Sequence, residues 1–508
     1  MQYLIGVDLG TSGTKTVLFD TLGQTVASAS VEYPMYQPQN GWAEQEPEDW
    51  WQAACTTIRS ILDQSGVNPA DIAGLSLSGQ MHGLVLTGDD NRALGRAIIW
   101  CDGRTRDDCE EFTRLVGGRE RLIQISANPA LTGFTAGKVL WERRCQPEKW
   151  AKARHIQLPK DYVRLRLTGE YYMEMSDASG TNLLDVPNRC WSKEICEKIG
   201  LDMAMLPPLL ESCQVAGRIT EEAAKLTGLK VGMPVVAGAG DNMAAAIGTG
   251  VVVPGKAFTT IGTSGVVFAH SDTVQIDPAG RVHTFCSAVP GCYTVMSASL
   301  AAGLSLKWTR DTFFQAEIQV ANDMGTDSYV LMNQEAAKSP IGANRLIYLP
   351  YLMGERSPIL DPETRGVFFG LTAMHTKRDI VRAVMEGVIY SQWQNLNVLR
   401  GMHVAPDSML ACGGGAKSPF WRQMMADMFG MPVSTLQNTE GPALGAAILA
   451  GVGTGVFTDI PTACRSLLKE GEPLQPDMDR HNQYVPFFEL YQSLYPALKD
   501  CFHRLNQL

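Results

Sequence analysis

IGVDLGTSGTKTVLFD (Ile5–Asp20) and KAFTTIGTSGVVFAH (Lys256–His270) share the tetrapeptide GTSG, at Gly10–Gly13 and again at Gly262–Gly265. The copies stand close to half of the 508-residue chain apart. Each is flanked by residues rich in Val, Ile, Thr and Phe, so each reads as strand, tight turn, strand. Outward from the first copy, TVASASVEY adds a third strand. EPEDWWQAACTTIRSIL then switches to helical spacing, with Pro47 and acidic residues at its start. IAGLSLSGQMHGLVLT reads as strand, loop, strand. Outward from the second copy, GCYTVMSAS is a strand, and SLAAGLSLKWTRDTFF and TKRDIVRAVMEGVIYSQWQNLNVLR are helices. SMLACGG (strand), SPFWRQMMADMFG (helix), PVSTL (strand) and GPALGAAILAGVG (helix) follow. A β-meander followed by alternating helices and strands, met twice, predicts two α/β domains of one construction, 1–245 and 246–508, with the junction near residues 245–255.

The bulk numbers agree with that division. A chain of this length exceeds a single ordinary core. It is 45% hydrophobic and 19% charged, with mean hydropathy −0.06, as in soluble globular proteins. A net charge of −10 disfavours non-specific binding to nucleic acid or anionic membrane, while leaving room for a locally positive site. The 12 cysteines form no C-x-x-C pair and no regular framework, which predicts reduced thiols and a cytoplasmic setting. The most apolar tract, VGMPVVAGAGDNMAAAIGTGVVV, is interrupted by Asp241, Asn242 and glycines, so no membrane span is expected.

A turn of Gly, Thr, Ser and Gly exposes backbone N–H groups and two hydroxyls, the makings of an anion nest. Two such turns, Gly10, Thr11, Ser12, Gly13 and Gly262, Thr263, Ser264, are predicted to grip a polyphosphate between the domains. Neither matches a P-loop or a G-x-G-x-x-G helix start. Asp8, just before the first turn, either bonds its own turn or faces phosphate across a Mg²⁺ ion. Lys15 either reaches phosphate or is solvated. Asp241 follows a predicted strand and opens a small-residue helix, so it is either the helix N-cap or a carboxylate aimed at a substrate hydroxyl. Gly413, Gly414 and Gly415, ahead of Ser418 as N-cap and Pro419, form a third turn able to hold a nucleotide.

DLGTSGTK, GDN at 240–242, the second IGTSG and CGGGAKS together resemble the FGGY carbohydrate kinases, relatives of actin, hexokinase and the heat-shock ATPases. GVFFGLTAMHTKRDIVRAVME (366–386) matches that family's C-terminal signature throughout. GFTAGKVLWERR meets the other signature in Lys138 and Trp141, while Glu142 stands where the family prefers an apolar residue. The resemblance implies two duplicated ribonuclease H-like domains with an interdomain cleft, and ATP with Mg²⁺ bound between the two turns. It implies Asp241 as general base and Asp8 as the acid acting through Mg²⁺ by way of water. GWAEQEPEDWW, SLSGQMHG, AIIWCDGR, LPKDYVRLRLTGE, MSDASGT and YLMGERSP are similar to tracts of ketopentose kinases in the family. They imply a sugar pocket containing Met81, His82, Trp100, Asp102 and Asp241, and phosphorylation of D-xylulose at O5. Cys101 departs from those kinases, which carry Asn there. Ribulose, a hexulose or a polyol is the alternative acceptor, and a non-catalytic ATPase switch is the alternative of another class. A homodimer is compatible with the apolar segments.

Overall fold

The computed structural model describes residues 2–437 and 440–508. Its first half is built on a six-stranded sheet. β1 (Tyr3–Leu9), β2 (Gly13–Asp20) and β3 (Thr25–Glu32) form the expected antiparallel meander. Helix α1 (Pro47–Ser65) follows, with Pro47 at its first position, Glu48 and Asp49 in the first turn, and Gly66 closing it in a left-handed conformation. Trp50, Ala54, Ile58, Ile61 and Leu62 recur at helical spacing and are buried as one face. β4 (Ile72–Gly79) runs parallel to β1. Further along the chain, past shorter strands and helices, come helix α2 (Pro159–Thr168), β5 (Val215–Arg218) and β6 (Pro234–Gly240). The order across the sheet is β5-β6-β4-β1-β2-β3, with β6 parallel to β4.

The small-residue helix α3 (Asp241–Thr249) leads into the second sheet. Here β7 (Lys256–Ile261), β8 (Gly265–Ser271), β9 (His283–Cys286) and β10 (Tyr293–Ser299) precede helix α4 (Gly303–Phe313) and the long helix α5 (Lys377–Gly401). β11 (Ser408–Cys412), α6 (Pro419–Phe429), β12 (Val433–Ser434) and α7 (Gly441–Gly453) complete the pattern. The strand order is β9-β10-β8-β7-β11-β12, with β7, β11 and β12 parallel. The shared core is therefore an antiparallel three-strand meander joined to parallel strands. The extra strand sits at opposite edges: β5 beyond the parallel side of the first sheet, β9 beyond the meander of the second.

The two halves join through α3 and α7. Although α7 lies late in the sequence, it packs across β1 and β4 of the first sheet. Three glycines allow this contact. A Cβ on Gly6 would lie 1.9 Å from the Ala443 carbonyl oxygen, one on Gly445 1.9 Å from that of Ala244, and one on Gly248 1.8 Å from that of Gly441. Met243, Ile247, Leu444 and Ile448 then share one apolar cluster with Leu4 and Phe19 of the first sheet and Phe258 and Phe268 of the second. The expected division after residue 245 falls inside α3, and α7 lies beyond it in sequence but on the first sheet in space. Among the described residues, no helix is long and apolar enough to cross a membrane.

Candidate active site

The parallel strands β1, β4 and β6 end in register, Leu9 opposite Gly79 and Gly79 opposite Gly240. That alignment delivers three chemically distinct groups to one edge: Asp8, the loop Gln80–Gly83, and Asp241. Ser78 Oγ donates to Asp8 Oδ1 at 2.8 Å, so Asp8 is braced by the neighbouring strand. Burial holds the Asp8 carboxyl above its usual range, partly opposed by the Ser78 bond and the Lys15 charge.

Asp241 is the first residue of α3, and Gly240 occupies the N-cap position. Its Oδ1 accepts from the Asn242 N–H at 2.7 Å and from Asn242 Nδ2 at 2.9 Å. Burial, and then the charge of Asp8, pushes this carboxyl up to about 7 against those two bonds. A carboxylate with that affinity for a proton, at the open end of a sheet, is suited to accept one near neutral pH.

His82 adopts a left-handed backbone conformation, φ 69°. Its carbonyl is fixed by Thr135 Oγ1 and by Lys138 Nζ, each donating at 3.0 Å. Burial pulls the Lys138 ammonium down to about 7, opposed chiefly by Asp102. His82 Nδ1 lies 2.7 Å from the Gly180 carbonyl, which can only accept, so Nδ1 carries the proton. Burial, with help from the Lys138 charge, pushes His82 down to about 3 despite the Gly180 bond. The ring is thus neutral, and Nε2 is an acceptor for a hydroxyl. Phe134 packs edge-on at 4.5 Å, and Phe285 of β9 approaches to 6.0 Å. Asn128 Oδ1 lies 3.0 Å from His283 Nδ1, Asn128 Nδ2 donates to the Thr284 carbonyl at 2.7 Å, and the Cys286 N–H donates to Ser179 Oγ at 3.1 Å. The second half therefore packs directly against His82 and its surroundings. The sequence reading passed over β9, whose four residues are all buried and show no alternation. Its β-branched and aromatic run between Pro/Gly turns is the signal that marks it.

Met81 is buried, and a Cβ on Gly240 would strike its Cγ at 2.8 Å, which puts Met81 directly behind Asp241. Trp100 is exposed, and its indole Nε1 donates to Thr11 Oγ1 at 2.9 Å, tying its loop to the first hairpin. Asp102 is turned inward. Its oxygens accept from the Ala43 N–H at 2.6 Å and from Arg104 Nε and NH2 at 2.7–3.0 Å, and it is 1% exposed. Its carboxylate holds the loop. Cys101 beside it is exposed, with Sγ 4.0 Å from Met35 Sδ.

Both glycine turns have their carbonyls tied down. Gly10 O accepts from Tyr33 OH, Thr11 O from Gln45 Nε2 and Ser12 O from the Tyr33 N–H. Gly262 O accepts from Gly303, and Thr263 O from Ala302 and Leu304, at the start of α4. Planar trans peptides turn the following N–H groups, those of Thr11, Ser12, Thr263 and Ser264, the opposite way. Lys15 pairs with Glu440 at 2.5 Å, across the junction to the start of α7. The second turn borders a cavity of about 780 Å³ shared with Gly414, Gly415 and Ser418 of the third turn and walled by Leu304, Tyr329 and Phe420. Gly413 has φ 78°, and Ser418 Oγ caps α6 by accepting from the Trp421 N–H at 3.1 Å.

Duplicated sheets of this order, with acidic residues at one sheet edge and a roomy cavity beyond the second turn, define an actin-like sugar-kinase fold. Models of the FGGY family of carbohydrate kinases match residues 3–248 (N-terminal domain) and 257–454 (C-terminal domain), and the chain belongs to that family. The chain is 39% identical over 500 residues to the xylulose kinase of Bacillus subtilis (strain 168), covering 98% of each. It is 38% identical to that of Escherichia coli (strain K12), covering 97% of this chain and 99% of the relative. Among solved structures, the xylulose kinase from Rhodospirillum rubrum superposes with TM-score 0.91 at 29% identity, over 99% of this chain and 100% of that one. The gluconate kinase from Lactobacillus acidophilus gives TM-score 0.92 at 28% identity, over 99% of each chain. This protein is a carbohydrate kinase and ATP is its phosphoryl donor, which removes the non-catalytic switch from consideration.

Proposed function

We propose that this kinase transfers the γ-phosphoryl group of ATP to O5 of D-xylulose, with Asp241 as general base. The observation that carries the mechanism is the Asp241 carboxyl, raised to about 7 at the strand edge beside Met81 and His82. Full-length similarity to xylulose kinases supports the choice of sugar.

The sugar lies against Met81 and His82, where the bare Nε2 accepts a hydroxyl proton in a hydrogen bond. Asp241 takes the proton of O5 as the bond from that oxygen to γ-phosphorus forms and the bond to the β–γ bridging oxygen breaks, leaving ADP. N–H groups of the two turns receive the phosphates, and the 780 Å³ cavity receives the adenosine end. Asp8 offers a hard carboxylate oxygen not bonded to Ser78, a donor suited to Mg²⁺ with retained waters. When bound there, Mg²⁺ would neutralise phosphate charge. Phe134 and Phe285 exclude water, which competes with O5 for the phosphoryl group.

A second reading, another ketose, a polyol or a sugar acid as acceptor, is favoured by one observation: a gluconate kinase shares the whole fold. A coupled ADP-release assay over a panel of such acceptors separates the two. Turnover greatest on D-xylulose, and lost in Asp241→Ala, is the expected result. Turnover confined to another sugar would discard D-xylulose and retain the base.

A further inference from the structure

The tracts LPKDYVRLRLTGE and MSDASGT contribute little to the pocket surface, yet they meet as a buried charged cluster directly behind it. Lys160 Nζ lies 2.9 Å from Asp161, 3.2 Å from Glu174 and 2.8 Å from Asp177, and all four side chains are 0% exposed. Arg164 adds a second cation, 2.9 Å from Asp161 and donating to the Ala237 carbonyl at 3.1 Å. Glu174 accepts from the N–H groups of Ser176 (2.6 Å) and Asp177 (2.9 Å) and from the hydroxyls of Ser176 and Ser212 (2.9 Å each). Charges removed from water this completely are expensive to keep, so their arrangement calls for an explanation.

The cluster touches the two strand ends that carry the site. A Cβ on Gly79 would meet Lys160 Cβ at 2.7 Å, and one on Gly83 would meet Pro159 Cγ at 2.8 Å, so the start of α2 brackets the loop holding Met81 and His82. On the other strand, the Gly240 N–H donates to Ser176 Oγ at 3.1 Å, immediately before Asp241. Asp177 Oδ1 lies 3.1 Å from where a Gly240 Cβ would be, beside Met81, and has no hydrogen-bond partner. The strand needs this support because its pairing with β4 is irregular between Val236 and Ala239, with Gly238 at φ 91°.

We propose that this buried cluster is a positioning device for the phosphoryl transfer: Ser176 holds the backbone that carries Asp241, and Asp177 wedges Gly240 against Met81. The inference rests on Asp241 acting as base. Three carboxyls face two cations, and burial raises Asp177 well above its ordinary value despite Lys160. Burial alone would lower Lys160, but its carboxylate neighbours, Asp161 foremost, more than reverse that.

The test is steady-state kinetics with pH profiles and thermal melts on the full chain, comparing wild type with Ser176→Ala, Asp177→Asn, Asp177→Ala and Asp241→Asn. Ser176→Ala is expected to lower kcat about 10- to 100-fold, with KM for ATP within about twofold of wild type. The acidic limb of its kcat/KM profile should move below 7, because a displaced Asp241 gains water and loses the influence of Asp8. Simple loss of folded enzyme would lower kcat and leave that limb in place. Asp177→Asn, which keeps the wedge, should lose less than Asp177→Ala. This pair decides the matter if Ser176→Ala does not fold. A folded Ser176→Ala enzyme with unchanged kcat and limb, alongside an inactive Asp241→Asn, would overturn the positioning role alone. Equal losses in the two Asp177 variants would also overturn it. An active Asp241→Asn enzyme would remove the base assignment first.

Discussion

The two hairpins start from the same four residues and end with different surroundings. In the first, Leu9 pairs with Thr14 and the turn is Gly10–Gly13; in the second, Ile261 pairs with Gly265 and the turn is tighter by one residue. Aligned on the turn, Asp8 corresponds to Thr260, and Gly6 to Phe258. Asp8 puts a carboxylate beside the first turn. Its counterpart brings no charge, and the second turn opens onto a large cavity instead. Gly6 lets α7 touch the first sheet, whereas Phe258 fills the same place in the second by stacking on Phe268 at 4.7 Å. On the proposed mechanism, equivalent backbones divide the labour through single side chains: proton and metal chemistry on one side, nucleotide volume on the other.

The comparison is broken most severely at its acidic end. Asp241→Ala should lower kcat by about 10² to 10⁴-fold, the usual range for a lost general base, in an ADP-release assay with saturating sugar. Unimpaired turnover would mean that the first half owes its chemistry to another residue.

Packing differences come next. Phe258→Ala should cost about 3–5 kcal/mol of stability in denaturant unfolding, since the ring is buried and stacked. Gly6→Ala should cost about 1–3 kcal/mol or more, because its methyl meets the Ala443 carbonyl at 1.9 Å. A harmless Gly6→Ala would show that α7 is free to shift.

The division of labour is sharpened by Tyr329→Ala in the cavity wall. KM for ATP should rise about tenfold, worth about 1.4 kcal/mol, with KM for sugar unchanged. Parallel changes in both constants would blur the two regions.

The smallest effects are those of pH. Asp241, raised from 3.8 to about 7, should give kcat/KM an acidic limb centred near 7, with activity rising as the carboxylate ionises. The same shift acts on stability. Between about 4 and 7 the folded protein binds more protons than the unfolded chain, so this group's contribution falls as pH rises, and its cost is complete above about 7. Asp241→Asn should therefore melt a few degrees above wild type at pH 8 and show little gain at pH 4.

Much of the scaffold was legible because it depends on local rules. Strand alternation, Gly-containing turns, Pro47 at a helix start and Ser418 as a cap each act within a few residues, and each appears as read. The N-cap alternative for Asp241 did not survive, because Gly240 takes that place and leaves the carboxylate to Asn242. Asp102 is bonded by Arg104, two residues on, a pairing that the sequence reading did not anticipate. Nothing in CDGR distinguishes a carboxylate facing a sugar from one facing its own loop.

By itself the sequence determined the duplicated strand-turn-strand units and the family, since periodicity, turn chemistry and motif spacing are properties of contiguous residues. Only the tertiary structure decided that α7 crosses back to the first sheet, that β9 of the second half packs against His82, and that a charged cluster stands behind Asp241. Those outcomes depend on contacts between segments far apart in the chain. They depend too on burial, which moves the proton affinities of Asp241 and His82 by several pH units in opposite directions.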